Sequence, residues 1–207
     1  MHDSIIRVAD LSVDLGGNPV LRALDLTVAA GETVAVVGPN GSGKSTLLRC
    51  LAGLQPAASG EVLVFGAPPA DDAAFWRRVA LLADEPAWYP GLTAREHLEL
   101  MAAVHPRTRL DVEAALELFA LGERADAAPL NLSTGQRQRL SLAAALLRPS
   151  SLLLLDEPER GLDTGFRARL ADLLDAYTGE GGTVVMATHD SGLATHARRF
   201  ATSGARA

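Results

Sequence analysis

Short apolar runs and period-two alternation predict several β-strands in this chain. Residues 4–13 and 19–29 are predicted to pair around a turn at 16–19, because Leu24, Leu26 and Val28 fall on one face of the second segment. Apolar runs predict further strands at 33–37, 61–65, 79–82, 152–155 and 183–187. The run at 152–155 consists of leucine only, which is typical of a parallel strand buried on both faces.

Apolar positions at helical spacing predict helices between these strands. A helix is expected over 47–52, since Gly53 follows it, and another over about 165–177. Thr93 and Glu96 form the sequence signature of a capping box, which starts a helix predicted to reach about residue 104. Two more helices are predicted from near Asp111 to before Gly122, and from Ser133 to Leu147. Strands alternating with helices predict an α/β fold.

A glycine-rich segment lies between the predicted strand at 33–37 and the helix that follows it. It comprises Gly38, Pro39, Asn40, Gly41, Ser42, Gly43, Lys44, Ser45 and Thr46, and it fits the phosphate-loop pattern G-x-x-x-x-G-K-[ST] without a mismatch. In this context, backbone N–H groups and the positive end of a helix dipole converge on an anion. The segment predicts a nucleotide site in which Lys44 reaches the β- and γ-phosphates and Ser45 contacts Mg²⁺.

The use of basic residues supports this site. Lys44 is the only lysine among the 19 lysine and arginine residues of the chain. A lysine ammonium is a compact point charge and the arginine guanidinium is a planar fork, so the two are not interchangeable. A single lysine at this position therefore favours a phosphate-binding role over a glycine-rich turn that matches the pattern by chance.

Two carboxylates, Asp156 and Glu157, directly follow the leucine run at 152–155. Parallel strands deliver the residues after their carboxyl ends to one edge of a sheet, so we expect both near the phosphate loop. Asp156 can supply an oxygen to Mg²⁺, directly or through water, in addition to Ser45. Glu157 is expected to orient and deprotonate the attacking water.

Composition narrows the class of protein further. A net charge of −6 and the lack of a long basic run argue against a nucleic-acid-binding surface. The single cysteine, Cys50, fits a reducing cytoplasm and is expected to be a small buried residue. No apolar run approaches the length that spans a bilayer, so a role at a membrane requires another chain.

Three further segments follow the phosphate loop and flank the carboxylates. They are Leu132, Ser133, Thr134, Gly135 and Gln136; Gly161, Leu162 and Asp163; and Thr188, His189 and Asp190. In this order and spacing they resemble the signature motif (usually L-S-G-G-Q), the D-loop and the switch histidine of ATP-binding-cassette (ABC) ATPases. The resemblance covers about residues 5–200, and its combination of motifs is far more specific than the phosphate loop alone.

The resemblance implies one ABC ATPase domain over residues 1–207. The expected architecture is an α/β P-loop NTPase core with a mainly parallel sheet, an N-terminal antiparallel β subdomain and an inserted helical subdomain at about 87–147. It also implies that Mg-ATP bound by one protomer is completed by the other. Ser133 and the Gly135 N–H would cap the γ-phosphate of the partner's ATP, because a helix N-terminus is an anion site. His189 would contact the γ-phosphate beside the catalytic Glu157, and two protomers would close head-to-tail.

Three positions depart from the family pattern. Leu15 stands where the family usually has an aromatic residue that stacks on adenine, which predicts weaker nucleotide affinity or base selectivity. Asp84 stands at the expected Q-loop glutamine; it could still ligate Mg²⁺, but it is shorter and charged. Thr134 replaces the first signature glycine, a milder change.

The leading hypothesis is an ATP-hydrolysing subunit of an ABC transporter, working as a homodimer or heterodimer under separate membrane-spanning permease chains. It would lie in the cytoplasm on the inner face of the membrane. The resemblance implies that Trp88, Tyr89 and Pro90 lie where the family docks its permeases; a role of these aromatic residues in the core is the alternative. The alternatives are a soluble ABC-type ATPase without a transport role and the weakly active half of a heterodimeric pair.

Overall fold

The computed structural model describes residues 4–83, 87–105 and 107–202. The strands are β1 (Ser4–Leu15), β2 (Asn18–Ala29), β3 (Thr33–Val37), β4 (Ser59–Val64), β5 (Val79–Leu82), β6 (Leu152–Asp156), β7 (Thr183–Ala187) and β8 (Arg198–Ala201). They form a three-stranded antiparallel sheet, ordered β2-β1-β4, and a five-stranded parallel sheet, ordered β5-β6-β7-β3-β8.

The helices connect and cover these sheets. They are α1 (Lys44–Leu51), α2 (Ala73–Arg78), α3 (Ala94–Val104), α4 (Val112–Leu118), α5 (Thr134–Leu147), α6 (Thr164–Gly179) and α7 (Ser191–Thr195), with 3₁₀ turns at Gly122–Arg124 and Pro129–Asn131. The predicted capping box starts α3: the Glu96 N–H donates to Thr93 Oγ1 over 3.2 Å, and the Thr93 N–H donates to Glu96 Oε2 over 2.7 Å. These bonds satisfy two backbone donors that a helix start leaves free.

The leucine strand β6 separates two hydrophobic cores. Because side chains alternate along a strand, Leu153 and Leu155 pack with the helices α3 to α6, whereas Leu152 and Leu154 pack with α1 and the antiparallel sheet. All four leucines are fully buried. This burial on both faces is why the run contains no polar residue until Asp156.

The parallel sheet brings three chain segments to one edge. β6, β7 and β3 are neighbours and run in the same direction, so the residues after each strand emerge side by side. The phosphate loop follows β3, Asp156 ends β6, and His189 lies just beyond β7. This edge is where open parallel sheets bind ligands.

The predicted α/β class is confirmed, with a parallel sheet flanked by helices and a separate antiparallel sheet. Helices α3, α4 and α5 pack on one another, and α5 also packs on β5. The limits of a helical subdomain at about 87–147, within a single domain over 1–207, stay a prediction. Sequence patterns missed α2, α7 and β8, which have only four to six residues each and too few positions to show a period.

Candidate functional site

The phosphate loop is closed on itself by Lys44. The Lys44 Nζ donates to the carbonyl oxygens of Gly38 and Pro39 over 3.0 and 3.2 Å, and the residue is only 6% exposed. Gly43 caps α1 with a φ of 90°, and a Cβ at this position would lie 2.5 Å from the Leu21 side chain. The backbone angle therefore favours glycine, and any side chain here would also displace Leu21.

The loop also packs on the end of β8, which sequence patterns did not indicate. Ser42 Oγ and Thr202 Oγ1 are 2.8 Å apart, and both residues are buried. The Thr202 N–H donates to the Val37 carbonyl over 2.9 Å, which continues the pairing of β8 with β3. Thr202 thus packs against the phosphate loop at Ser42, whereas Asn40 and Gly41 are exposed.

Ser45 and Asp156 meet between α1 and β6. The Ser45 hydroxyl donates to Asp156 Oδ1 over 3.0 Å, and Asp156 is 6% exposed. Burial raises the pKa of the Asp156 carboxyl above its ordinary value, while the Ser45 hydrogen bond and the charges of Arg49 and Lys44 act to lower it. Both side chains line an open cavity of about 340 Å³ together with Leu48, Arg49, Leu54, Leu81 and Ala83.

The oxygens at this position suit Mg²⁺ when a nucleotide supplies the remaining ligands. Mg²⁺ prefers hard oxygen ligands and is usually held by one or two carboxylates plus phosphate oxygens and water. Within the described ranges, no group of three or more His, Cys, Asp or Glu could hold a metal on its own. Asp84, the other predicted metal ligand, lies outside the described residues.

Glu157 and His189 face each other across the ends of β6 and β7. His189 Nε2 lies 3.6 Å from Glu157 Oε1, and both side chains are partly open to solvent. Glu157 has a φ of 46°, in the left-handed region that non-glycine residues rarely adopt. Its N–H donates to the Ala187 carbonyl over 2.9 Å, which ties this turn to β7.

The signature segment begins α5. The Gln136 N–H donates to Ser133 Oγ over 3.2 Å, and the Ser133 N–H donates to Gln136 Oε1 over 2.9 Å, which makes a second capping box. Leu132 is buried and anchors the segment, whereas Ser133 and Thr134 are exposed. The positive end of the α5 dipole therefore faces solvent.

Side chains of α5 connect the signature segment to the turn that carries the catalytic candidates. Gln138 Nε2 donates to the carbonyl oxygens of Glu157 and Pro158 over 3.1 and 3.0 Å. A Cβ on Gly135 would lie 2.4 Å from the Gly161 carbonyl oxygen, so only glycine allows this approach. Sequence patterns placed these segments in order but could not show that they touch.

Asp163 ends the same turn and begins α6. Its Oδ1 accepts from the Phe166 N–H over 2.9 Å, and its Oδ2 accepts from Arg139 Nη2 over 2.6 Å. The hydrogen bond from the Phe166 N–H lowers the pKa of the Asp163 carboxyl, and Arg139 lowers it further. Asp163 is exposed, although its carboxylate is held by these two hydrogen bonds.

A groove of about 300 Å³ lies between β5, α3 and α5, beside the segment at 87–89. The Trp88 ring stands edge-on to the His97 ring at 5.3 Å, and the Tyr89 N–H donates to His97 Nε2 over 3.0 Å. Tyr89 itself is 63% exposed. In the part of the chain that the structure describes, no helix has the length and apolar character of a membrane span.

Comparison with known proteins places this site in a family. The family model described as ABC transporter matches residues 21–160. The chain is 41% identical to the cytochrome c biogenesis ATP-binding export protein CcmA of Ruegeria pomeroyi, over 91% of this chain and 87% of that protein. It is 36% identical to the SkfA peptide export ATP-binding protein SkfE of Bacillus subtilis, over 89% of this chain and 79% of that protein.

Solved structures agree. An ATP-binding subunit of an ABC transporter superposes with a TM-score of 0.84 at 28% identity, over 96% of this chain and 85% of that one. A dimeric ATP-binding cassette in a post-hydrolysis state, bound to ADP and Pi, also gives a TM-score of 0.84, at 26% identity and over 96% of this chain and 94% of that one. The chain therefore belongs to the ABC transporter family, as an ATP-binding and ATP-hydrolysing subunit.

Proposed function

We propose that this subunit binds Mg-ATP at the shared edge of β3, β6 and β7 and hydrolyses it in a head-to-tail pair of protomers. The observation that carries the proposal is the convergence of Lys44, the Ser45–Asp156 pair and the Glu157–His189 pair on that edge. These are the groups that phosphoryl transfer to water requires: a cation for the phosphates, oxygen ligands for Mg²⁺ and a base for the water.

The phosphate loop would bind the phosphates of ATP. Its backbone N–H groups and the positive end of α1 attract the phosphates, and the Lys44 ammonium adds a charge at the β- and γ-phosphates. The carbonyl oxygens of Gly38 and Pro39 hold that ammonium in the loop. Ser45 and Asp156 would hold Mg²⁺, which supplies charge neutralisation at the phosphate oxygens.

Glu157 and His189, which follow β6 and β7, would carry out the hydrolysis. Glu157 accepts a proton from water as the water oxygen bonds to the γ-phosphorus and the bond to the ADP oxygen breaks, giving ADP and phosphate. His189, which lies 3.6 Å from the Glu157 carboxylate, would contact the γ-phosphate. The strained backbone of Glu157 is consistent with a catalytic position, because such strain concentrates at functional sites.

The exposed start of α5 supports the pairing of protomers. Ser133 Oγ accepts the Gln136 N–H, so its own hydroxyl proton remains available for an anion. Ser133, the Gly135 N–H and the α5 dipole would form an anion site that opens to solvent. A second protomer, of this chain or of another cassette, would place its γ-phosphate there.

Permease chains are the proposed membrane partners, and the groove beside Trp88 is the proposed contact. Its lining is mostly apolar, and Tyr89 offers an exposed aromatic ring of the type enriched at interfaces. Relatives of this chain are named as export ATP-binding proteins. The subunit would then work on the cytoplasmic face of the membrane, with no nucleic-acid partner.

Replacement of the proposed base tests the pairing. Glu157→Gln keeps the shape of the side chain but removes its basicity, so ATP should bind without turnover and hold two protomers together. Size-exclusion chromatography with light scattering should then show a dimer with Mg-ATP and a monomer without it. The double variant Glu157→Gln, Lys44→Ala should stay monomeric.

A monomeric Glu157→Gln variant at saturating Mg-ATP would count against self-pairing and favour a different cassette as the partner. Affinity purification from detergent-solubilised host membranes separates these cases. Recovery of a polytopic membrane protein would support the transporter role, and a second cassette would support a heterodimer. Recovery of only soluble partners would contradict the transporter role.

A further inference from the structure

Glu159 is a third carboxylate of this edge, and no role described above uses it. It lies two residues after Glu157, in the turn that follows β6, and it is only 7% exposed. Acidic side chains are rarely buried this far unless hydrogen bonds compensate for the lost water. The hydrogen bonds that the Glu159 carboxylate accepts therefore indicate the role of this buried side chain.

One oxygen of Glu159 accepts hydrogen bonds from three consecutive residues beyond β7. Glu159 Oε1 accepts from Thr188 Oγ1 over 2.7 Å, from the His189 N–H over 2.8 Å and from the Asp190 N–H over 3.2 Å. Hydrogen bonds to a carboxylate are roughly twice as strong as those between neutral groups. This one atom thus fixes the backbone on both sides of the His189 side chain.

The far side of the same loop has its own anchors. The Asp190 carboxylate accepts from Arg167 Nη1 over 3.1 Å and from the Leu193 N–H over 3.0 Å. These contacts hold the loop to α6 and α7. Towards β6, Glu159 is the side chain described as hydrogen-bonded to the backbone of residues 188–190, while Glu157 contacts only the His189 ring.

The two oxygens of the Glu159 carboxylate have very different surroundings. Oε2 is buried and has no hydrogen-bond partner among the residues described. A buried polar atom without a partner costs free energy, so a neutral group that made only the Oε1 contacts would be cheaper. The Glu159 side chain thus positions residues 188–190 at a cost in local stability.

We propose that Glu159 is a positioning residue for ATP hydrolysis, which holds residues 188–190 so that the His189 side chain stays beside Glu157. The proposal rests on the roles given to Glu157 and His189 in the proposed function. Glu159 acts through hydrogen-bond acceptance, and its charge is secondary. ATP binding, which depends on the phosphate loop, does not require it.

Two variants separate acceptance from charge. Glu159→Ala removes the acceptor, and kcat should fall by about tenfold or more, since small misplacements of reacting groups are costly. KM for ATP and the Kd of a non-hydrolysable ATP analogue should stay within about twofold, which is the pattern for an interaction used in the transition state. Glu159→Gln keeps an amide oxygen at the position of Oε1 and should restore most of kcat. Glu117→Gln, an exposed carboxylate on α4, is the matched control for loss of charge.

A second measurement, the NMR signal of the His189 ring, reports its position directly and does not depend on the activity of the variant. The ring signal of His189 in NMR spectra, assigned with His189→Gln, should move in Glu159→Ala and in Thr188→Val but hardly in Glu159→Gln. Unchanged kcat and an unchanged His189 signal in Glu159→Ala would overturn the proposal. Equal loss in the Ala and Gln variants would also overturn it, since charge would then be the property that matters.

The ATPase rate of His189→Ala distinguishes a wrong role for His189 from a wrong role for Glu159. If His189→Ala hydrolyses ATP as fast as the unaltered chain, the role proposed for His189 is wrong, and the role of Glu159 falls with it. If His189→Ala is slow and Glu159→Ala is not, only the positioning role is wrong.

Discussion

The Ser45 hydroxyl donates a hydrogen bond to Asp156 Oδ1 over 3.0 Å, although the two residues are 111 positions apart in the chain. The contact joins the start of α1 to the end of β6. It places the two oxygens that the proposed function assigns to Mg²⁺ within reach of one cation.

Removal of either oxygen should raise the Mg²⁺ requirement of the ATPase. In Ser45→Ala and Asp156→Asn we expect the Mg²⁺ concentration for half-maximal activity to rise by about tenfold or more, the range seen when a group of a metal site is lost. Titration of Mg²⁺ at fixed ATP measures this shift. Ser45→Thr keeps the hydroxyl and serves as control; an unchanged requirement in both test variants would rule out these ligands.

The single lysine allows a direct chemical test of the phosphate loop. An amine reagent can modify only Lys44 and the chain's α-amino group, since the chain contains no other lysine. Modification of Lys44 should be slow, because the residue is 6% exposed, and slower still with saturating Mg-ATP. Peptide mass spectrometry measures both sites, and the α-amino group is the internal control. Equal labelling of Lys44 with and without Mg-ATP would contradict the proposed contact.

An aromatic residue at position 15 should strengthen nucleotide binding. Leu15 ends β1 and is 39% exposed, so a ring at this position would have room to stack on a base. Leu15→Tyr should lower the Kd for ATP by about fivefold, equivalent to ~1 kcal/mol, the size of a stacked aromatic contact. Calorimetric titration with ATP and GTP tests affinity and base selectivity. Val104→Tyr, at an exposed position of α3, is the control. An unaltered Kd in Leu15→Tyr would place the base elsewhere.

His105 should make the fold sensitive to mild acid. The residue is buried, and Arg148 Nε donates to its Nε2 over 3.1 Å, which requires an unprotonated ring nitrogen. Burial lowers the pKa of His105, and the Arg148 charge lowers it further. The unfolded chain therefore takes up a proton more readily than the folded chain, and the free energy of unfolding falls as pH drops through the unfolded pKa.

Urea unfolding at pH 7.5 and pH 5.5 measures this effect. The unaltered chain should lose more stability between these values than His105→Gln does, with a difference of at most about 1.4 kcal/mol per pH unit for one proton. Equal losses in the two proteins would show that His105 is not a source of acid sensitivity.

Much of the fold could be predicted because its central strands are apolar on both faces. The leucines of β6 have no polar alternative between two cores, so the pattern at 152–155 has one interpretation. Edge strand β8 could not be predicted in this way, since Arg198 and Arg199 are exposed and the strand lacks alternation. Its pairing with β3 depends on a partner that is distant in the chain.

The residues of the candidate site also differ in whether the sequence around them carries a recognisable pattern. The phosphate loop has a local pattern, so its position was predictable from the sequence. Glu159 and Thr202 have none: each is a common residue type, and its importance comes from neighbours 29 and 160 positions away. Only the folded sheet shows that these side chains reach residues 188 and 42.

The contact between Gly135 and Gly161 has a mechanical consequence. With no side chain between them, the start of α5 rests on backbone, and Gln138 clamps the same turn through two carbonyl groups. A contact between two backbones has no side-chain rotamer that could change to absorb a displacement, so a shift of one segment should be coupled to a shift of the other. The exposed start of α5, which a neighbouring molecule could touch, is thus in direct contact with the turn that carries Glu157.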